Sequence, residues 1–233
     1  PSGDSGRIVL KLLEDKGREV IGPASCVLGR LKYEPARKKL ENILLDRSSP
    51  EREEVGKSIG WIGNKESVPV LIKVLEENDG EGRYGAAWSL GIMEALDALD
   101  PLMKAAGSSD RKLSALSIES LGLLKSEKSL PILRSKMKAD NNMSTFVVGA
   151  LVSIPGKEAR QLLEEYAEHK DPVIHQPAIQ ALGQRKDMES VHILLKLLKG
   201  RNSEITRMTY LALSSITGEK FRSRNEWINW YVK

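Results

Sequence analysis

A small apolar pair of residues recurs along the chain, and its spacing defines a repeat. The pair is usually Leu-Gly, and its second members stand at positions 29, 60, 91, 122, 152, 183 and 214. Successive steps are 31 residues, apart from a single step of 30 residues between positions 122 and 152. An internal period of this length is typical of solenoid proteins, in which each repeat is one supersecondary unit.

The residues around each pair predict two helices per repeat. An apolar run with small residues precedes the pair, a short polar loop follows it, and a second apolar run comes next. Pro69, Pro101 and Pro131 stand early in these second runs. In the first turn of a helix the N–H that proline lacks would make no hydrogen bond within the helix. The segments 108–110 and 171–172 carry turn and N-cap residues. We predict helix A, loop and helix B in each repeat, with the small residue late in helix A admitting the next backbone.

This pattern resembles the short HEAT-like repeats first described in phycobilin lyases, with the consensus Val-Arg-x-x-Ala-x-x-Ala-Leu-Gly-x-Ile-Gly. Residues 82–94 and 54–63 match it best. Basic residues occupy the consensus Arg position in three repeats, namely Arg52, Arg83 and His175. Three other repeats depart from it, with Ser114, Ser144 and Thr206. The resemblance covers about residues 18–233 and implies an all-α fold, a right-handed α-solenoid of HEAT-like helix pairs. It implies no single function, because scaffolds, lyases and glycosylases share this repeat.

The two ends of the chain predict different boundaries for the stack. We predict one solenoid over residues 1–233, with seven repeats, a lone B-type helix over residues 7–17 and a C-terminal cap over residues 217–233. The cap sequence resembles the Thr-Gly-x-x-Phe…Trp-x-x-Trp ending of many bacterial HEAT-repeat proteins. The aromatic side chains of Phe221, Trp227 and Trp230 would cover the last repeat's core face.

Composition and charge narrow the classes of partner. Aromatic residues make up only 5% of the chain, and the formal net charge is +4 with a pI near 9.1. That excess is short of the strong basic character of nucleic-acid binders, and residues 51–110 carry more acidic than basic side chains. No apolar stretch approaches the roughly 20 residues that span a bilayer. Cytoplasm is favoured, although the missing initiating Met also allows a mature secreted form or a shortened chain.

A search for catalytic chemistry gives no candidate. None of His169, His175 and His192 has the neighbouring carboxylate or second histidine of a metal motif. Cys26 is the single cysteine, so no intrachain disulfide can form, and its apolar surroundings predict a buried thiol. Neighbouring carboxylates on a helix point about 100° apart, which is typical of a solvated face. We therefore predict neither a metal nor a cofactor, and no catalysis.

One candidate surface lies on the solvent side of the B helices, which the resemblance places on the concave side. The position thirteen residues after the marker, with its neighbours one turn away, is rich in basic side chains: Lys38, Lys73, Lys104, Lys138, His192, Lys196 and Lys199. This predicts a groove for an acidic protein segment, steered by charge. The alternative is that lysine is simply common on exposed helix faces.

A second candidate surface lies on the A helices. Tyr84 and Trp88 occupy the solvent-facing positions seven and three before the marker, with Ile92 one turn further and Trp61 on the preceding A helix. Exposed aromatic clusters often mark contact sites. The alternative is that the rings lie flat in the groove between A helices or under the N-terminal segment.

These surfaces favour a protein-interaction module or scaffold. Nucleic-acid binding of the DNA-glycosylase type is a less favoured alternative, because it needs a catalytic carboxylate and an aromatic pocket in a strongly basic groove. A phycobilin-lyase-like auxiliary role has only the resemblance behind it. The oligomeric state stays open.

Overall fold

A computed structural model describes residues 2–14, 20–49, 51–77, 80–200 and 202–232 of the chain. These residues form fifteen α-helices and no strand, which confirms the predicted all-α repeat fold. The helices are α1 Ser2–Leu12, α2 Ile21–Arg30, α3 Arg37–Leu45, α4 Arg52–Ile62, α5 Val68–Leu75, α6 Gly82–Ile92, α7 Leu99–Ala106, α8 Arg111–Leu124, α9 Leu130–Ala139, α10 Ser144–Ser153, α11 Lys157–Ala167, α12 Pro172–Arg185, α13 Val191–Leu197, α14 Ser203–Thr217 and α15 Arg224–Val232.

The chain divides into two compact units, Pro1–Leu124 (unit 1) and Lys125–Lys233 (unit 2). In unit 1 the A helices α2, α4, α6 and α8 stack in that order, and the B helices α3, α5 and α7 pack against them. In unit 2 the A helices α10, α12 and α14 stack in the same way, and α11 and α13 pack on this layer. The single solenoid predicted from the sequence stays a prediction, because each unit is compact by itself.

The first helix differs from the predicted lone helix over residues 7–17. It begins at Ser2, ends at Leu12 and packs against α2, while residues 15–19 lie outside the described part of the chain. Gly6 is a poor helix former, but it is buried and lies directly against the ring of Tyr33. This tertiary contact outweighs the local preference, so the helix starts earlier than the apolar pattern alone suggests.

The Leu-Gly marker ends helix A with a Schellman motif in two repeats of unit 1. The N–H of Tyr33 donates to the carbonyl of Leu28 at 3.0 Å, and Ala95 does the same to Leu90 at 3.0 Å. Such a motif needs one residue with positive φ just after the helix. Residues with positive φ recur in step with the repeat: Lys32, Gly63, Glu94, Lys125, Gly156 and Lys186.

Replacing Lys32 by glycine is expected to raise the free energy of unfolding by about 0.5–1 kcal/mol. Lys32 has a φ of 49°, a conformation that costs a residue with a Cβ atom more than it costs glycine. Lys38→Gly is the control, because Lys38 lies within α3 and glycine there should lower stability by about 1 kcal/mol. Urea denaturation followed by circular dichroism distinguishes the two signs. Destabilisation by Lys32→Gly would mean that lysine suits this turn better than its φ implies.

The marker glycine sets the distance between neighbouring A helices. A Cβ atom on Gly29 would lie 2.8 Å from Cα of Ser58, and one on Gly91 would lie 2.7 Å from Cα of Ser120. In unit 2 a Cβ atom on Gly183 would lie 2.9 Å from Cα of Ala212. These contacts confirm that the small residue late in helix A admits the next backbone. They also show that neighbouring A helices run in parallel, with each of these markers beside the residue that lies two before the next marker.

In two repeats of unit 1 the residue at the consensus Arg position joins helix A to the end of the preceding B helix. Arg52 is buried, and its Nε donates to the carbonyl of Leu44 at 2.7 Å while Nη2 pairs with Glu77 at 2.8 Å. Ser114 departs from the consensus, yet its Oγ donates to the carbonyl of Ala106, also eight residues earlier, at 2.6 Å. Both side chains satisfy a carbonyl that the end of a helix leaves without a partner. Arg52 and Ser114 therefore have structural roles.

Candidate protein-interaction surface

Two positions of each A helix in unit 1 face away from the core. They lie three residues before and one residue after the marker, on the side opposite the fully buried residues Leu28, Ile59, Leu90 and Leu121. Since the helices are parallel and the same contacts recur from each helix to the next, equivalent positions form slanted rows across α2, α4, α6 and α8. We call these eight residues the outer face of unit 1: Cys26, Arg30, Lys57, Trp61, Trp88, Ile92, Glu119 and Leu123.

Two tryptophans from neighbouring helices meet at the centre of the outer face. The ring centroids of Trp61 and Trp88 are 5.6 Å apart with an interplanar angle of 79°, a favourable edge-to-face geometry. The guanidinium of Arg30 lies 5.5 Å from the Trp61 ring centroid, within cation–π range. A Cβ atom on Gly29 would meet the Trp61 ring at 3.0 Å. The half-buried tryptophans therefore fill part of the groove between helices and keep part of their area at the surface.

Tyr84, the third aromatic residue, is held by polar contacts. Its hydroxyl donates to Oδ2 of Asp110 at 2.9 Å, and Nζ of Lys112 lies 4.3 Å from its ring centroid. Nζ of the same Lys112 lies 2.5 Å from Oε2 of Glu53. This lysine of α8 therefore lies over the ring on α6 and pairs with a carboxylate on α4. Lys57 also pairs with Glu53, at 2.9 Å. The polar side chains at this end of the A helices thus already have partners within unit 1.

The pKa shifts at this polar end follow from the same contacts. The hydrogen bond to Asp110 raises the pKa of Tyr84, with burial as a further cause. Burial acts to raise the pKa of Asp110, but the hydrogen bonds from Leu113 and Tyr84 outweigh it and lower that pKa. Burial likewise opposes ionisation of Glu53, and its two lysine partners outweigh burial, so the pKa of Glu53 is lowered. Both carboxylates are therefore ionised at neutral pH.

Away from Tyr84 and its polar partners, the outer face has an apolar part. Ile92 is 44% exposed and Leu123 is 39% exposed, and they continue the surface of Trp61 and Trp88 across three neighbouring helices. The equivalent positions of unit 2 are mostly small or polar, namely Gly149, Ser153, Gln180, Gln184, Leu211 and Ser215. The repeat itself therefore does not require apolar side chains at these positions.

Two charged residues flank the apolar part of the outer face. Arg30 of α2 and Glu119 of α8 are both exposed, and neither forms an ion pair within the described part of the chain. Burial among neighbouring groups raises the pKa of Glu119. The outer face thus carries a positive charge on α2 and a negative charge on α8. Tryptophan, isoleucine and leucine side chains form the apolar part of the face.

The predicted lysine surface is divided between the two units. In unit 1, Lys38, Lys73 and Lys104 are exposed on three successive B helices, and Asp100 stands one turn before Lys104. In unit 2, Lys138 and Lys199 are exposed, Lys196 pairs with Glu168, and Nδ1 of His192 lies 2.5 Å from the carbonyl of Glu189. Lys73 and Lys104 therefore stand at equivalent positions of neighbouring B helices, and the carboxylate of Asp100 lies one turn from Lys104.

Other chemistry has little support within the described ranges. No group of three or more His, Cys, Asp or Glu side chains there could hold a metal ion. Cys26 is half-buried, not buried as predicted, because it stands on the outer face. A groove of about 480 Å³ between α12 and α14 has three glutamines, Gln176, Gln180 and Gln184, among its lining residues. No helix of the described chain is both long and apolar enough to cross a membrane.

The sequence identified Trp61, Tyr84 and Trp88 but missed Arg30, Glu119 and Leu123 as members of one surface. The signal missed for Arg30 and Leu123 was the position one residue after the marker. It lies one helical turn beyond the position three residues before the marker, which Glu119 occupies. Aligning the repeats at both positions gives all residues of the outer face of unit 1.

Comparisons with known proteins place the chain among helical repeats. The family model for HEAT repeats matches residues 37–115, 71–145 and 99–182. The complex of CpcE and CpcF of phycocyanin lyase from Nostoc sp. PCC7120 is similar in structure, with a TM-score of 0.60, 18% identity and coverage of 96% of this chain and 92% of that chain. Human deoxyhypusine hydroxylase gives a TM-score of 0.46 at 15% identity, covering 91% and 84% of the two chains. No curated protein matches the sequence.

Proposed function

The chain belongs to the HEAT-repeat family, and we propose that it is a protein-interaction module without catalysis of its own. Its principal contact surface is the outer face of unit 1. The observation that supports this most is the apolar run of Trp61, Trp88, Ile92 and Leu123 across three A helices. Folded proteins rarely expose contiguous apolar area without using it in a contact, and tryptophan is prominent among residues that dominate binding energy.

Site-specific photo-cross-linking tests this surface. A photo-reactive amino acid is placed at Ile92 or Leu123, and the cross-linked proteins in the source organism's lysate are identified by mass spectrometry. We expect one defined protein from both positions. Val173, which is 50% exposed in unit 2, is the matched control and should not capture that protein. Equal capture from Val173, or no defined protein from Ile92 and Leu123, would contradict the proposal.

The exposed lysines of unit 1 support a second contact surface for an acidic protein segment. Lys73 and Lys104 stand at equivalent positions on neighbouring B helices, with Lys38 on the helix before. Charge attraction of this kind speeds association and is weakened by salt. The carboxylate of Asp100 beside Lys104 reduces the local positive potential, which is why the outer face is the principal surface. The basic residues of unit 2 form a separate set, in which Lys196 is already paired with Glu168: Lys138, His192, Lys196 and Lys199.

Reversing the two aligned charges, Lys73→Glu with Lys104→Glu, is expected to weaken binding of a labelled oligoglutamate peptide at least about tenfold. Lys11→Glu with Lys32→Glu is the control, because these lysines are exposed in unit 1 but lie outside the B helices. Fluorescence anisotropy at several salt concentrations measures both variants. Equal affinity of the two double variants would remove the lysine surface from the proposal.

The nucleic-acid and lyase alternatives lead to different results. A nucleic-acid binder would take up a labelled oligonucleotide with a steep loss of affinity in salt, because each neutralised phosphate releases counterions. A phycobilin-lyase-like auxiliary role is supported by the family resemblance alone. Neither alternative explains why the outer face is apolar in unit 1 and mostly small or polar in unit 2.

A further inference from the structure

We propose that the partner of the outer face of unit 1 is a second copy of the same chain, docked about a two-fold axis. This inference rests on the proposed function and names the partner of that surface. It starts from the order of side chains across the face: Cys26 and Arg30 on α2, Lys57 and Trp61 on α4, Trp88 and Ile92 on α6, then Glu119 and Leu123 on α8.

This order is self-complementary. A two-fold axis lying in the interface, nearly parallel to the helices and passing between α4 and α6, brings α2 opposite α8 of the second copy and α4 opposite α6. Arg30 then faces the partner subunit's Glu119, and Glu119 faces the partner subunit's Arg30. The same residues meet twice, as an isologous contact requires, and twofold dimers are the commonest oligomers.

The charges favour this arrangement because neither has an ion-pair partner among the described residues of its own chain. Arg30 contacts the Trp61 ring and forms no ion pair with a described residue, and Glu119 has neither a hydrogen bond nor an ion pair in that part of the chain. Opposite charges that meet across an interface fix its orientation and exclude other registers. The other carboxylates beside the face, Glu53 and Glu54, are already paired with Lys57.

The apolar side chains would form the centre of this interface. Trp61 would lie opposite the partner subunit's Trp88 and Ile92, so the two edge-to-face pairs would become one aromatic cluster. Buried aromatic residues surrounded by charged groups are typical of interface centres. Four helices spaced about 8–10 Å apart give a face roughly 30 Å wide.

Charge reversal with rescue tests the inference in the intact chain. Sedimentation velocity should show a dimer for the natural sequence, and Arg30→Glu or Glu119→Arg alone should weaken the dimer about 100-fold or more, since each places two like-charge pairs in contact. An equimolar mixture of these two single variants should dimerise again, because both contacts are then between opposite charges. The double variant Arg30→Glu with Glu119→Arg should also dimerise.

Two further variants separate the interface from folding. Ile92→Gln places in α6 the residue type that α12 carries at the equivalent position, Gln184, so it should fold and fail to dimerise. Leu211→Gln alters an exposed leucine of unit 2 and should leave the dimer intact. Circular dichroism spectra should match the natural sequence for all these variants, and so should thermal midpoints measured at a chain concentration low enough to keep the natural sequence monomeric.

A natural sequence that stays monomeric at about 1 mM chain, the limit of weak specific affinity, would overturn the inference. A dimer that the mixture of charge variants fails to restore would also overturn it, because the two-fold pairing of Arg30 with Glu119 would then be absent. Cross-linking from Ile92 to a different protein, together with a monomeric chain, would sink this inference and leave the proposed function standing.

Discussion

Replacing Trp227 by alanine is expected to lower the free energy of unfolding by about 3–5 kcal/mol. Trp227 is completely buried, and its ring meets Phe221 at 5.0 Å and Trp230 at 6.0 Å between centroids, both edge to face. Removing the ring leaves a cavity beside two aromatic residues that lose their partner. Because a repeat is stabilised mainly by its neighbours, the loss should be concentrated in α13, α14 and α15.

Guanidinium denaturation and amide hydrogen exchange measure this effect. Exchange should accelerate most in the last three helices. Tyr231→Ala is the matched control, because Tyr231 is 50% exposed on the same helix, and it should change stability by less than about 0.5 kcal/mol. Trp227→Phe should recover part of the loss, since it keeps an aromatic ring in the site. A Trp227→Ala variant as stable as the control would show that α15 contributes little to the end of unit 2.

Replacing Gly85 by alanine is expected to cost about 2–3 kcal/mol, the range for forcing extra volume into a packed core. Gly85 of α6 is buried against α4, where an added Cβ atom would lie 3.0 Å from Cα of Gly56 and much closer still to the carbonyl oxygen of Glu53. These neighbours are backbone atoms, so no side chain can turn away. The two helices must separate, which also disturbs the Trp61–Trp88 contact.

Gly149→Ala is the control for the Gly85 variant. Gly149 also lies within a helix, but an added Cβ atom there has no neighbour within 4 Å. Alanine should therefore stabilise α10 by up to about 1 kcal/mol, from helix preference alone. The opposite signs of the two glycine substitutions would show that close approach, and not glycine content, decides stability. A neutral Gly85→Ala would mean that α4 and α6 can slide apart without loss.

The helix pairs could be predicted because the period of the repeat can be read from the sequence itself. Four of the five marker glycines lie against the next helix and so have a steric reason to be small. The loops carry turn residues, so period and element type follow. The start of α1 could not be predicted, because it depends on the contact between Gly6 and Tyr33, which are not neighbours in the sequence. The division into two units likewise depends on packing that no local pattern contains.

The candidate surface could be predicted only in part. Aligned repeats located Trp61, Tyr84 and Trp88, because their positions on helix A follow from the period. The partners of charged side chains could not be assigned, since the separations between partners in neighbouring repeats vary. Arg52 reaches a carboxylate 25 residues later, Arg83 one 27 residues later and Arg134 one 31 residues later. A fixed offset of one repeat would therefore miss the Tyr84–Asp110–Arg83 cluster.

The four tryptophans give the chain two separate optical reporters. Trp61 and Trp88 are in edge-to-face contact within unit 1, and Trp227 and Trp230 are in similar contact within unit 2. A variant with both tryptophans of one unit replaced by phenylalanine emits only from the other unit. Its fluorescence during denaturation then follows the opening of that unit alone. Two such variants would show whether the units unfold together or at different denaturant concentrations, without any attached dye.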